Sequence, residues 1–227
     1  ILDLREERER TNDPSRRWDG FDVEVIENDL TSGRQDWFIA ARDAEADEQW
    51  VVSHQGGFYR EIPVEARYVD LFSRLLNDVA ETDRPVIVHC AAGKDRTGLI
   101  CAFTHHIAGV HPDDIMADYL LTNDPDHIAK RVAYLGPLME KRMGKPMTEG
   151  GLRAAAMVRE EYLNAAMSMI HDRFGTVDGY LEQVLGIDAA KRDLIRERIL
   201  NYPPRGSPKA ATQEETRCKA STPHTAC

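Results

Sequence analysis

The chain has 227 residues, a formal net charge of −10, 42% hydrophobic residues and 30% charged residues. That length can bury a core and suits one domain rather than two, and the apolar content excludes wholesale disorder. The acid excess excludes a general nucleic-acid binder, and no apolar run approaches the ~20 residues of a membrane span, so a soluble protein is expected, cytoplasmic or secreted. The four cysteines, Cys90, Cys101, Cys218 and Cys227, fit neither a disulfide framework nor metal-ligand spacing.

In chain order, residues 1–4 predict a strand, and the charge run 5–10 a solvated turn or helix start. Residues 21–26 alternate apolar and polar and predict a second strand. Residues 27–60 lack sustained periodicity, carry Gly33, Gly56 and Gly57, and are expected to form an irregular lid or binding loop. Val64, Tyr68, Leu71, Phe72, Leu75 and Val79 predict an amphipathic helix over 64–80, leading into a buried strand at 86–89 bounded by Pro85. Residues 99–108 are apolar enough for a buried helix stopped by Gly109, and Pro112 opens the next helix.

Residues 126–143 are helical in pattern, with a kink or break expected at Gly136-Pro137 and a flexible link at 144–151. The longest helical pattern covers 152–174, and shorter helices are expected near 178–185 and 188–201. From about Pro203 the chain is rich in Pro, Ser, Thr and Lys, which predicts a disordered tail over 203–227 behind a single domain at 1–202. Strands first, a crossover helix, then a run of helices predict an α/β fold with a small, mostly parallel sheet and a helical C-terminal half.

The chemistry concentrates at residues 86–98, where a β-branched run ends in His89-Cys90 and Arg96 follows as a helix begins. A strand-to-helix loop aims successive backbone N–H groups at one point and makes an anion nest at the helix N-terminus. The N–H groups, the helix dipole and Arg96 all favour thiolate at Cys90, and such surroundings can bring a cysteine pKa down to ~3.5–7.5. Arg96 offers a planar fork for two phosphate oxygens. Cys90 is therefore the candidate nucleophile. Ala91, Ala92, Gly93, Lys94, Asp95 and Thr97 line the substrate cup, and Thr97 is placed to stabilise the sulfur as a leaving group. Lys94 either contacts a second phosphate, strengthens binding of one, or faces solvent. Asp95 pairs with a cation, orients Arg96, or points away.

The string His-Cys-x-x-Gly-Lys-Asp-Arg-Thr-Gly at 89–98 resembles the loop of the bacterial tyrosine and phosphoinositide phosphatase family that includes mycobacterial protein tyrosine phosphatase B. Ile1-Leu2-Asp3-Leu4-Arg5 is similar to that family's early strand. Ala117-Asp118-Tyr119-Leu120-Leu121-Thr122-Asn123-Asp124, Glu161-Tyr162-Leu163 and Gly179-Tyr180-Leu181 are similar to its later segments. The resemblance implies a cysteine-based phosphatase fold, a phosphocysteine intermediate and no cofactor or metal. Its implied substrates are phosphotyrosine proteins, with phosphoserine/threonine and phosphoinositides as further ones. It also implies that a family segment preceding the first strand is missing here. Asp29 matches the position of the family's acid, and Asp36 is the second choice.

Competing readings are a non-catalytic phosphoprotein- or phosphoinositide-binding module and, less well matched by Arg96-Thr97, a rhodanese-type sulfurtransferase. Cys101 is expected to pack, Arg5 to make a buried salt bridge, and His105 and His106 to carry no metal. A Walker loop is excluded, because no glycine lies five residues before Gly93 and Asp95 replaces the hydroxyl residue.

Overall fold

The computed structural model describes residues 1–31 and 33–201. The tail expected at 203–227, with Cys218 and Cys227, lies outside the described residues. The α/β architecture expected from the element order is present, with a very small sheet. Strand β1 (Leu2–Asp3) pairs in parallel with β2 (Val88–His89), in the register Leu2 with Val88 and Asp3 with His89. Backbone bonds from Leu2 N–H to the Ile87 carbonyl (2.8 Å) and from Leu4 N–H to the His89 carbonyl (2.9 Å) complete the ladder.

The second predicted strand reduces to one bridge between Ile26 and Leu2. Ile26 alone of residues 21–26 is buried, so the alternating pattern has no second layer to cover it beyond that point.

Behind the sheet, α4 (Ala66–Glu81) buries Tyr68, Leu71, Phe72, Leu75 and Leu76 on one stripe. Helix α5 (Asp95–Ala108) buries Leu99, Ile100, Ala102, Phe103 and Ile107 and ends at Gly109, whose φ of 84° suits a residue without Cβ. Both pack against α11 (Ala189–Leu200), and α5 also meets α6 (Pro112–Leu120). Helix α9 (Glu160–Phe174) continues into α10 (Val177–Gln183), whose Tyr180 ring lies 5.2 Å from Phe103.

Residues 27–60 are not an irregular loop. They hold α2 (Trp37–Asp43) and α3 (Glu48–Glu61), capped by the carboxylates of Asp36 and Asp47. Helix α3 buries Val51, Gln55 and Tyr59, a three-residue stripe at intervals of four, too sparse to stand out against Gly56-Gly57. It packs on α9 and on α8 (Glu149–Ala156).

Helix α7 (Pro125–Met143) runs unbroken through Pro137. The carbonyl that loses its N–H partner belongs to Ala133, and both residues are exposed, so water can serve it. The expected flexible link is shortened by α8, and Gly151 is there for contact: a Cβ on it would lie 2.0 Å from the Ala46 carbonyl oxygen.

The long pattern over 152–174 breaks at 157–159. There Asn123 takes a bond from Val158 N–H (2.9 Å) and donates to the Val158 carbonyl (2.9 Å), replacing helical partners. A smaller apolar cluster of Ala41, Ala46, Met139 and Met143 sits apart from the main core, where α2 packs on α7. No helix among the described residues is long and apolar enough to cross a membrane.

Candidate active site

The loop between β2 and α5 leaves Ala91, Ala92 and Gly93 exposed and sinks Cys90 to 7% exposure. Gly93 has φ of 64°, a left-handed turn that a side chain would resist, and it lets the chain reverse into the helix N-terminus. Burial pushes the Cys90 thiol up. The Arg96 charge and the Thr97 hydroxyl and backbone N–H outweigh it, so the thiol lies below its ordinary value, with Asp95 opposing. The Thr97 hydroxyl is buried and, apart from that sulfur, has no hydrogen-bond partner among the described residues.

Arg96 is held by Glu9 of α1 (Glu7–Asn12) in a two-pronged pair, Nη1 to Oε2 at 2.5 Å and Nη2 to Oε1 at 2.8 Å. Its Nη1 also donates to the Leu4 carbonyl at 3.1 Å. Those contacts use both Nη1 hydrogens and one on Nη2. The Nε–H and the second Nη2–H remain as a parallel pair for two oxygens of an anion. Burial pulls the guanidinium pKa down, but Glu9 and the Cys90 sulfur carry it well above its ordinary value, so Arg96 stays charged. Glu9 is pushed up by burial and pulled further down by Arg96, and it takes a bond from Glu6 N–H at 2.8 Å.

Glu9 is the site residue that inspection of the chain missed, because it lies in a run of charges that resembles a solvated turn. Its one local signal is the Glu6/Glu9 capping box, with a carboxylate in place of the usual hydroxyl.

The surrounding frame is also charged. Arg5 pairs with Asp3 at 2.8 Å in the buried salt bridge expected of it, and His89 Nε2 lies 3.7 Å from Asp3. Arg67, 1% exposed, donates to the Asn28 carbonyl (2.6 Å), the Leu30 carbonyl (3.2 Å) and the Arg5 carbonyl, stapling the 28–30 segment and the end of β1 to α4. Asp29 lies within that segment. Its side chain is 72% exposed and ion-paired with Arg10. Asp36 is 11% exposed, paired with Arg8, and accepts from Ile39 N–H at 3.0 Å as the cap of α2. No hydrogen bond or ion pair joins either carboxylate to residues 90–97 among the described residues.

Cys90, Arg96 and Thr97 thus come together. Lys94 and Asp95 turn inward, and Lys94 is only 4% exposed, so the solvent-facing alternative fails. Cys101 lies on α5 with its thiol pushed up by burial. His105 and His106 lie near Asp118 (3.7 Å) and Asp178 (2.9 Å), and no cluster able to hold a metal occurs among the described residues. A separate open cleft of about 720 Å³, lined by residues that include Glu48, Val52 and Arg159, contains no residue of the loop.

Comparison with known proteins places the chain in a family. The tyrosine phosphatase family matches residues 1–201. Triple specificity protein phosphatase PtpB of Mycobacterium tuberculosis is 32% identical over 150 residues, 63% of this chain and 53% of that protein. A Cupriavidus necator protein assigned as a tyrosine-protein phosphatase is 32% identical over 133 residues, 59% of this chain and 46% of its own length. A tyrosine-protein phosphatase of Nostoc commune is 27% identical over 138 residues, covering 59% and 44%. The chain spans about half the length of the curated relatives it matches. Because the match runs along nearly all of the described residues, the 90–97 loop included, the chain belongs to the tyrosine phosphatase family.

Proposed function

We propose that this protein hydrolyses phosphate monoesters, phosphotyrosine in proteins first among them, through a phosphocysteine intermediate. The observation that carries the proposal is the Arg96 fork, locked by Glu9 beside a thiol whose pKa is drawn down. In the first step the Cys90 thiolate attacks phosphorus. The S–P bond forms, the bond to the leaving oxygen breaks, and an acid protonates that oxygen. The free Arg96 donors and the backbone N–H groups of residues 91–97 bind the non-bridging oxygens as their charge develops. In the second step water attacks phosphorus, a carboxylate takes its proton, and Cys90 leaves as thiolate stabilised by Thr97.

Asp29 is the proposed acid and then base, with Asp36 as the second candidate. In its present position Asp29 is tied to Arg10, so the role requires its exposed side chain to leave Arg10 and turn toward the loop on substrate binding. Arg96 and the loop supply the positive charge that each step needs, so release is expected to continue in excess chelator. The PtpB relative is named for triple specificity. By that likeness phosphoserine/threonine and phosphoinositides are proposed as further substrates.

Phosphate release from a phosphotyrosine peptide and from monophosphorylated phosphoinositides, with and without chelator, tests the proposal for wild type and Cys90→Ser. Wild-type rates in the Cys90→Ser protein would sink the mechanism. Phosphate binding without release by wild type would leave a binding module.

A further inference from the structure

Asp95 is the anomaly of the site. A carboxylate at the start of α5 suits the helix dipole, yet it stands in an anion cup and opposes the Cys90 thiolate. Its surroundings resolve this. The Lys94 ammonium lies 2.9 Å from Asp95 Oδ2 and 3.2 Å from Oδ1, and it donates to the Met157 carbonyl at 3.2 Å. Tyr59 of α3 donates to Asp95 Oδ1 at 3.1 Å, and its hydroxyl meets that of Tyr119 of α6 at 2.7 Å. The Tyr119 ring lies against Gly98, where a Cβ would come within 3.0 Å of it. The Met157 carbonyl is presented by the extended break between α8 and α9, which Asn123 holds open at Val158.

We infer that Lys94 and Asp95 act as an inward-facing positioning pair: together they tie the phosphate loop to α3, α6 and the α8–α9 junction, and Lys94 cancels the Asp95 charge that would otherwise act against the Cys90 thiolate. The inference rests on Cys90 being the nucleophile. It assigns Lys94 no contact with a second phosphate. An ammonium withdrawn to such a contact would leave the Asp95 carboxylate with the Tyr59 hydroxyl alone, next to a sulfur that must carry negative charge.

The groups facing the pair are Tyr59 of α3, Tyr119 of α6 and Tyr162 of α9, all with pKa values raised by burial and neutral at working pH. Those facing the sulfur are Arg96, Asp95 and Cys101 of α5, with Glu9 of α1 acting on Arg96.

The test is the pH dependence of Cys90 alkylation by iodoacetamide, followed by mass on the Cys90 peptide of the full chain. It compares wild type, Lys94→Met, Asp95→Asn and the double variant. Lys94→Met is expected to raise the thiolate midpoint by roughly one pH unit, Asp95→Asn to lower it, and the double variant to return it near wild type. Lys94→Met is also expected to lose the same factor on a phosphotyrosine peptide and on a bisphosphorylated phosphoinositide. Unmoved midpoints, or a loss confined to the bisphosphate, would overturn the inference. If Lys94→Met does not fold, the near-isosteric Asp95→Asn decides alone, since its amide still accepts from Tyr59. An ordinary thiol midpoint in wild type would instead overturn the assignment of Cys90.

Discussion

The two sides of the loop at 90–97 are gripped by unlike chemistry. On one side the first residues of the chain hold Arg96 with charge: the Glu9 carboxylate, backed by the Leu4 carbonyl and the Asp3–Arg5 pair. On the other, later helices hold the Lys94–Asp95 pair with tyrosine hydroxyls and one carbonyl. The first grip sits beside the Cys90 sulfur and depends on ionised carboxylates. The second is net neutral, and burial keeps its tyrosine hydroxyls protonated at working pH. Damage to the first is expected to appear in rate, and damage to tyrosines of the second mainly in stability.

The largest expected effect is on the charged side. Cys90→Ser should lower kcat by roughly 10⁶, as removal of a nucleophile does. Arg96→Lys keeps a positive charge but loses both the fork to substrate and the two-pronged pair with Glu9, and about 10³ in kcat is expected. Asp29→Asn should cost roughly 10² to 10⁴ for alkyl phosphates and much less for aryl phosphates with good leaving groups. Equal losses on both substrates would transfer the role to another group, with Asp36→Asn as the next variant to assay.

Glu9→Gln sharpens the comparison further. Arg96 would remain charged but lose its orientation, with about a 10² loss in kcat expected and a urea midpoint near neutrality lowered by the loss of the ion pair. The same variant should change acid stability. Glu9 and Asp3 have folded pKa values below their ordinary 4.5 and 3.8, so the stability they contribute is present above those values and is lost as pH falls through the depressed ones. Urea midpoints measured above and below about pH 4 should therefore drop in wild type, and drop less in Glu9→Gln.

The smallest effect belongs to the neutral side. Tyr59→Phe removes one hydroxyl that bonds Asp95 and Tyr119, worth about 1–2 kcal/mol of unfolding free energy, with kcat nearly kept. A Tyr59→Phe enzyme as slow as Glu9→Gln would erase the distinction between the two grips.

Much of this arrangement is legible along the chain. The spacing from Cys90 to Arg96 and Thr97 is local, and so is the β-strand-to-helix turn that makes the cup. Buried stripes of α4 and α5 are dense enough to stand out. Glu9 is not legible, because its meaning depends on Arg96, distant in the chain. Helix α3 is hidden by Gly56-Gly57, whose solvent-open positions tolerate them at only modest cost. The break at 157–159 is hidden because Asn123, which replaces the helical bonds there, belongs to another segment. The inward turn of Lys94 likewise needs the Met157 carbonyl, which that break supplies.

The small cluster around Met139 and Met143 has a consequence for how the molecule opens. It shares no buried residue with the main core, and α2 reaches the rest of the protein chiefly through it. Amide protons of α2 and of the last turns of α7 should therefore exchange with solvent deuterium through a local opening. Those of α4 and α5 should wait for global unfolding. The loop at 90–97 is anchored to the slow-exchanging part, so two regions of one chain would keep different clocks.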